Sequence, residues 1–311
     1  MPLYILKRFI MMIVTILIIA TLTFVLMRAI PGSPFDEERT SNPTIQANLE
    51  KFYKLDQPMP IQYLNYLKSI VTFDYGPSIK KPNESVNTLL ARGFPISFEL
   101  GIATIVVAVI SGIILGTFAA LRHNGIIDYG AMTFAVVGIS IPNFVLATLL
   151  IQQVAVNWGI LPPATWSSPK HMILPVVALA TGPTAIIARL TRASMLEVLT
   201  QDYIKMARAK GLKPFRIVAR HALRNALMPV VTIMGTMLAG ILTGTFVIEK
   251  IFAIPGMGKY FVESINNRDY PVIMGSTVFY SAFLVFMLFL VDIVYGFLDP
   301  RIKLHKKEGE V

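Results

Sequence analysis

Apolar positions along this chain fall into six long stretches separated by polar segments of unequal length. The first, 9–27, is 19 residues without a charge and follows Lys7 and Arg8. At about 1.5 Å per helical residue it reaches about 28 Å, enough to cross a hydrocarbon core. It is long for the apolar part of a cleaved signal and lacks a clear small-x-small exit, so a retained helix is expected. Five more stretches follow at 100–121, 130–157, 172–188, 226–248 and 271–291. The pattern predicts an all-α polytopic membrane protein with six transmembrane helices. Small residues four apart, Gly112 with Gly116 and Gly240 with Gly244, predict close helix contacts within the second and fifth stretches.

The polar segments carry local signals of their own. Arg28-Ala-Ile-Pro-Gly-Ser-Pro34 ends the first helix with turn chemistry. Asn42-Pro43 is a cap followed by a first-turn proline, with Ile45, Leu49 and Phe52 at helical spacing behind it. Pro58 and Pro60 interrupt that pattern, and Ile61, Leu64 and Leu67 resume it. Asp74-Tyr-Gly-Pro-Ser78 reads as a turn. The organisation predicted is an N-terminal transmembrane helix at 1–31 and a small helical extracytoplasmic region at 32–93. A five-helix core at 94–298 and a tail at 299–311 complete it.

Inside that core lies a basic loop, 189–225. It holds Arg189, Arg192, Lys205, Arg208, Lys210, Lys213, Arg216, Arg220 and Arg224 against Glu197 and Asp202. Thr200 is a candidate N-cap for a helix from 202, Asp202 suits its first turn, and Gly211 with Pro214 ends it. Tyr203, Met206, Ala207 and Lys210 are spaced to share one face. Ala207 and Gly211 are small, which lets another surface approach the backbone. A second helix can start at Pro214, with Arg216, Arg220 and Arg224 in a stripe along it.

Composition agrees with the pattern. Hydrophobic residues make up 54%, charged residues 15% and the mean hydropathy is +0.63, against about 25% charged in soluble domains. The net charge of +10 is concentrated in the basic loop, so it does not call for nucleic acid. Lys and Arg crowd into 1–8, 122–129, 189–225 and 299–311, which places those segments and both termini in the cytoplasm. Cysteine is absent, which excludes disulfides and thiol chemistry. No GxxxxGK followed by Ser or Thr occurs, no HExxH and no GxSxG, so this chain is expected to carry no catalytic residue, no metal and no cofactor. Arg28, Glu99, Arg189, Glu249 and Asp292 all fall at the ends of apolar stretches. Ion-coupled carriers place such groups near the midplane, so the energy for any transport is expected to arrive through the basic loop.

Two strings make that expectation specific. ARAKGL at 207–212 followed by RHALRNALMP at 220–229 resembles the cytoplasmic loop of permeases in the oligopeptide/dipeptide branch of ATP-binding-cassette importers. Lys205 and Met206 stand where the wider importer pattern has Glu and the first Ala, and Met228-Pro229 displaces its Leu-Pro ending. Both departures resemble the peptide branch rather than the sugar branch. In 244–270, Glu249, Phe252, Pro255, Gly256, Gly258, Arg268, Asp269 and Tyr270 fit the same family, as do RAIPGSP, the Asp74, Gly76, Ser78 spacing, and Asp292, Tyr295 and Asp299-Pro300-Arg301. Leu288 departs from it, where relatives usually show Asn.

The resemblance implies a non-catalytic subunit of a bacterial cytoplasmic-membrane importer. Its implied partners are a second, similar permease, two cytoplasmic ATPases that bind ATP and magnesium, and an extracytoplasmic peptide-binding protein. The implied coupling residues are Asp202, Tyr203, Met206, Ala207, Arg208, Ala209 and Gly211. Alternatives are a permease for dipeptides, nickel or another small solute, an ion-coupled carrier or channel, and a sensory or scaffolding membrane protein.

Overall fold

Helices carry most of the chain in the computed structural model, which describes residues 2–29, 35, 43–81, 83–243 and 245–298. In order they are α1 (Pro2–Ala29), α2 (Pro43–Phe52), α3 (Met59–Thr72), α4 (Val86–Leu121), α5 (Ile126–Ser140) and α6 (Asn143–Leu150). A π-helical stretch, Ile151–Asn157, continues α6. Then come α7 (Lys170–Leu199), α8 (Asp202–Ala209) and α9 (Pro214–Arg216), which passes through a π-helical turn, Ile217–Ala222, into α10 (Leu223–Ala226). The last are α11 (Met228–Thr243), α12 (Phe246–Ile251), α13 (Met257–Asn266) and α14 (Tyr270–Leu298). The described residues form no strand beyond one isolated bridge, Pro77 with Ser85. The expected tail at 299–311, Ser33-Pro34 and residues 36–42 lie outside the described residues.

Among the described residues four helices, α1, α4, α7 and α14, are each long and apolar enough to cross a membrane. The third expected span is not one rod. It breaks at Ile141-Pro142, and its halves, Ile126–Ser140 and Asn143–Asn157, are bent by 104°. The cause is local: Pro142 cannot donate a helical hydrogen bond, and it forces Ile141 to an extended conformation, φ −86 and ψ 121. Taken together the two halves count as a fifth span. The stretch expected at 226–248 is also divided, into the short apolar α11 and the separate α12. The fourth runs longer than its apolar stretch, because α7 carries Arg189 and Arg192 on to Leu199. Both arginines therefore stand on a helix rather than in the loop.

The chain divides into two compact units, residues 1–96 with 256–311, and residues 97–255. In the first unit α1 lies along α14. Ala20 and Phe24 pack with Tyr66 and Val278, and Met27 and Phe35 pack with Ile79, Tyr270 and Ile273. Phe94 sits edge-on against Phe279 and Phe283, with centroids 5.3 and 5.1 Å away. Arg8 pairs with Asp292 at 2.8 Å. The inward residues of α3 are Tyr63, Tyr66 and Ile70; Ile61 and Leu64, which carry the helical spacing, are exposed. Phe24 on α1 lies 5.3 Å from the Tyr63 ring and 5.9 Å from Tyr66.

In the second unit the Gly112 and Gly116 notch meets α7. A Cβ at Gly112 would lie 2.7 Å from the Ile187 Cβ, and one at Gly116 only 2.4 Å from the Ala188 carbonyl oxygen. Ala108, Ala180, Ile187 and Val230 are buried beside this contact. Gly240 has open space around the position of a Cβ, so the second small-residue pair does not make the same close approach at that end, and Gly244 lies outside the described residues. Asp128, in the first turn of α5, is buried and accepts from Arg192 Nε at 2.5 Å and Nη2 at 2.7 Å, with a third bond from the Asn124 amide at 3.0 Å. This bidentate pair pins α5 to α7.

Candidate functional site

The basic loop folds back on its own chain. Thr200 does not cap α8: its Oγ1 donates to the Glu197 carbonyl at 2.7 Å and so closes α7. Gln201 is the N-cap, extended at φ −67 and ψ 149, and makes no side-chain capping bond. Asp202 enters the first turn as expected and pairs with Lys205 at 2.9 Å. Both are exposed, so this pair contributes little. At the other end Gly211 takes φ +72, the left-handed conformation expected of it, and the Leu212 amide reaches back to the Ala207 carbonyl at 3.3 Å.

Ile204, which the expected face left out, decides how α8 lies. Ile204 and Ala207 are buried against Ala120, Met195, Ile217, Ala222 and Ala226. Ala207 therefore does not share an outward face with Tyr203, Met206 and Lys210. It is 7% exposed, and its small size lets α8 seat closely on the alanines beneath it. The outward surface consists of Tyr203, Met206, Arg208, Ala209 and Lys210, with Met206 59% exposed. The Asn225 amide donates to the Tyr203 hydroxyl at 2.7 Å, tying α8 to α10. Arg216, Arg220 and Arg224 are exposed along α9 to α10, as their spacing predicts. Phe215, which the sequence reading passed over, is 83% exposed next to them.

The second predicted segment is divided between the units. Glu249 and Pro255 belong to the second. Glu249 is fully buried on α12 and bonds the Thr245 hydroxyl. Gly256, Gly258, Arg268, Asp269 and Tyr270 belong to the first. Gly256 is the N-cap of α13, and Gly258 is buried in its first turn. Arg268 ends that helix at φ +54, and Tyr270 is buried where α14 begins.

Asp269 is the bridge between two of the motifs singled out in the sequence. Its carboxylate accepts the Ser78 hydroxyl, the Ile79 and Lys80 amides, both at 3.2 Å, and the Val272 amide at 3.4 Å. The turn it receives is built by the Gly76 amide on Asp74 Oδ1 at 3.2 Å and the Val86 amide on the Gly76 carbonyl at 2.9 Å. Asp269→Ala should leave these buried donors without an acceptor and destabilise the first unit by about 3 kcal/mol. Asp269→Asn should cost less. Limited proteolysis across 74–81 reads the difference, and wild-type resistance of the alanine variant would contradict it.

Neither this brace nor the Asp128–Arg192 pair was identified from sequence. In a one-dimensional reading Asp128 is one more charge beside an apolar stretch. Only the start of α5 at Ile126 and the extension of α7 to Leu199 bring it to Arg192.

Residues 112–304 match the family described as the binding-protein-dependent transport system inner membrane component, and residues 1–100 match the N-terminal region of such membrane components. The chain is 71% identical over 304 residues to the dipeptide transport system permease protein DppB of Bacillus subtilis, covering 98% of this chain and 99% of that one. It is 44% identical over 302 residues to the oligopeptide transport system permease protein OppB of Salmonella typhimurium, covering 96% and 99%. Among solved structures, an inward-facing form of the MetNI methionine ABC transporter aligns over 68% of this chain and 96% of that chain, with TM-score 0.54 and 19% identity. That likeness is one of fold. With six-tenths of its length matched by the family and near full-length relatives on both sides of the peptide branch, the chain belongs to the inner membrane components of binding-protein-dependent transport systems.

Proposed function

We propose that this subunit forms half of the pathway of an ATP-driven peptide importer and receives the work of ATP hydrolysis through α8. The observation that carries the reading is the division of α8 into two faces. Ile204 and Ala207 anchor it on the chain's own core, so force on the helix is transmitted to α7 and α10 rather than absorbed by a loose loop. Tyr203 and Met206 remain outside as apolar anchors, with Arg208, Lys210, Arg216, Arg220 and Arg224 around them. A polarisable methionine at the centre of a basic rim suits insertion into a partner's groove.

On this reading the groove belongs to one of two cytoplasmic ATPases, which also hold ATP and magnesium. A second permease of the same kind completes the pathway, an extracytoplasmic protein delivers the peptide, and both termini lie in the cytoplasm. ATPase closure shifts the helices between two packings. Peptide as substrate is supported by the names of relatives on both sides, one a dipeptide and one an oligopeptide permease.

Met206→Glu tests the coupling step. Met206 is exposed, so the variant should accumulate normally, within about 0.5 kcal/mol of wild-type stability. Labelled-peptide uptake into ATP-loaded vesicles should fall about tenfold or more, as expected for a central interface anchor. Unchanged uptake with unchanged co-purification of the ATPases would refute docking through this face.

A further inference from the structure

At the junction of α1, α3 and α14 the first unit holds an open-mouthed cavity of about 170 Å³. Its depth is set by two spans. The described part of the α1 span reaches Ala29 and the α14 span begins at Tyr270. Phe24 and Arg28 on one side, and Tyr270 and Met274 on the other, therefore line it where hydrocarbon gives way to headgroups. Among the described residues in its wall the charged ones are Arg28 and Lys54.

Arg28 is held in place by neutral groups. Its Nη2 donates to the Gln62 side-chain oxygen. The amide nitrogen of Gln62 is itself fixed by the Leu55 and Gln57 carbonyls, at 2.9 and 2.6 Å. The guanidinium lies 5.6 Å from the centre of the Phe24 ring. Among the described residues no carboxylate stands within ion-pair distance of it. A guanidinium has five N–H donors, and Gln62 uses one. A partly buried cation without a counter-ion is costly. Tyr66, buried in the same wall, has a hydroxyl without a hydrogen-bond partner. Burial pushes that hydroxyl and the Tyr75 hydroxyl upward in pKa, so both remain protonated donors. Val25, less than one turn before Arg28, is exposed on the adjoining face of α1, and Leu22 and Leu26 are exposed on the face beyond it.

We propose that this cavity binds the phosphate of a phospholipid headgroup, with Arg28 as its principal ligand and the exposed flank of α1 against an acyl chain. The charge accounts for an oxyanion, and the depth and the apolar flank account for a lipid rather than a soluble anion. The lipid would lie in the leaflet on the side of residues 30–93 and tie α1 to α3 and α14.

The test uses the full chain purified in its native assembly and stripped of loosely held lipid. Short-chain phosphatidylglycerol is titrated, with bound lipid read by native mass spectrometry and the melting temperature followed in parallel. The wild type should retain lipid and melt higher with it. Arg28→Gln should weaken retention about tenfold, and Arg28→Lys less, because one ammonium replaces a fork. Tyr66→Phe removes only a hydroxyl and should weaken it about threefold, which gives the reading if Arg28→Gln does not accumulate. Equal retention by wild type, Arg28→Gln and Tyr66→Phe would overturn the site. Equal protection of the wild type by inorganic phosphate, or by a dipeptide, would overturn the lipid as its ligand.

Discussion

Ala207→Trp is expected to deplete the folded chain from the membrane, not to leave a well-folded but uncoupled subunit. Read as sequence, Ala207 is a small outward residue, and a large side chain there collides only with a partner. In the structure it faces Ala120, Met195, Ile217, Ala222 and Ala226, and four of those five neighbours are small or β-branched with no room to withdraw. Forcing a bulky ring into a packed site costs about 1–3 kcal/mol in ordinary cores, and an indole placed among alanines falls at or above the upper end. Expulsion of α8 relieves the strain but exposes Ile204. It also breaks the Asn225 to Tyr203 bond, so α10 loses its tie as well. The measurement pairs abundance in isolated membranes with the melting temperature of the purified protein. Met206→Trp is the control, since the same ring on the outward face meets nothing on its own chain. Wild-type abundance and melting for Ala207→Trp, with uptake lost, would mean that Ala207 does face a partner and that α8 lies differently.

Where the sequence was legible, the signal was local chemistry. Gly211 terminates α8 in the left-handed region and Pro214 opens α9, while the turn expected at 30–34 lies outside the described residues. Each depends on a residue type that restricts its own backbone. The misreadings share a different origin. Ala207 was placed outward by spacing and Ile204 was left off that face, but the direction that spacing points is set by Ala120 of α4, Met195 of α7, and Ala222 and Ala226 of the π-helical turn and α10. Pro142 was visible, yet Pro175 and Pro183 sit inside an unbroken α7. The difference lies in packing: Pro175 is buried and Pro183 partly buried within α7, whereas Pro142 is exposed. Charges beside apolar stretches were read as loop. A buried acid such as Asp128 becomes affordable only with Arg192 opposite it, and that pairing is three-dimensional.

The two glycine pairs show the same limit, and they supply the sharpest test of the second unit. Both have identical spacing; Gly112 and Gly116 meet backbone from a neighbouring helix, whereas Gly240 has open space at the position of a Cβ. At Gly116 the obstacles to a Cβ are the Ala188 carbonyl oxygen at 2.4 Å and the Thr191 Cβ at 2.7 Å. Neither is the flexible end of a long side chain, so α4 itself must move. Movement there separates Ser111 from Thr184, whose hydroxyls are 3.0 Å apart, and loosens Ala108 from Ala180 and Ile187. Helix propensity alone predicts the opposite sign, since Gly→Ala in a helix interior gains about 1 kcal/mol. Gly116→Ala is therefore expected to lower the melting temperature despite that gain, and Gly116→Leu to cost about 3 kcal/mol or more. Gly240→Ala, with open space at the same point, should be neutral or slightly stabilising. Thermal unfolding of the three variants in one detergent decides it. If Gly116→Ala melts with or above the wild type, α4 and α7 stand further apart than this packing requires, and the notch is not what joins them.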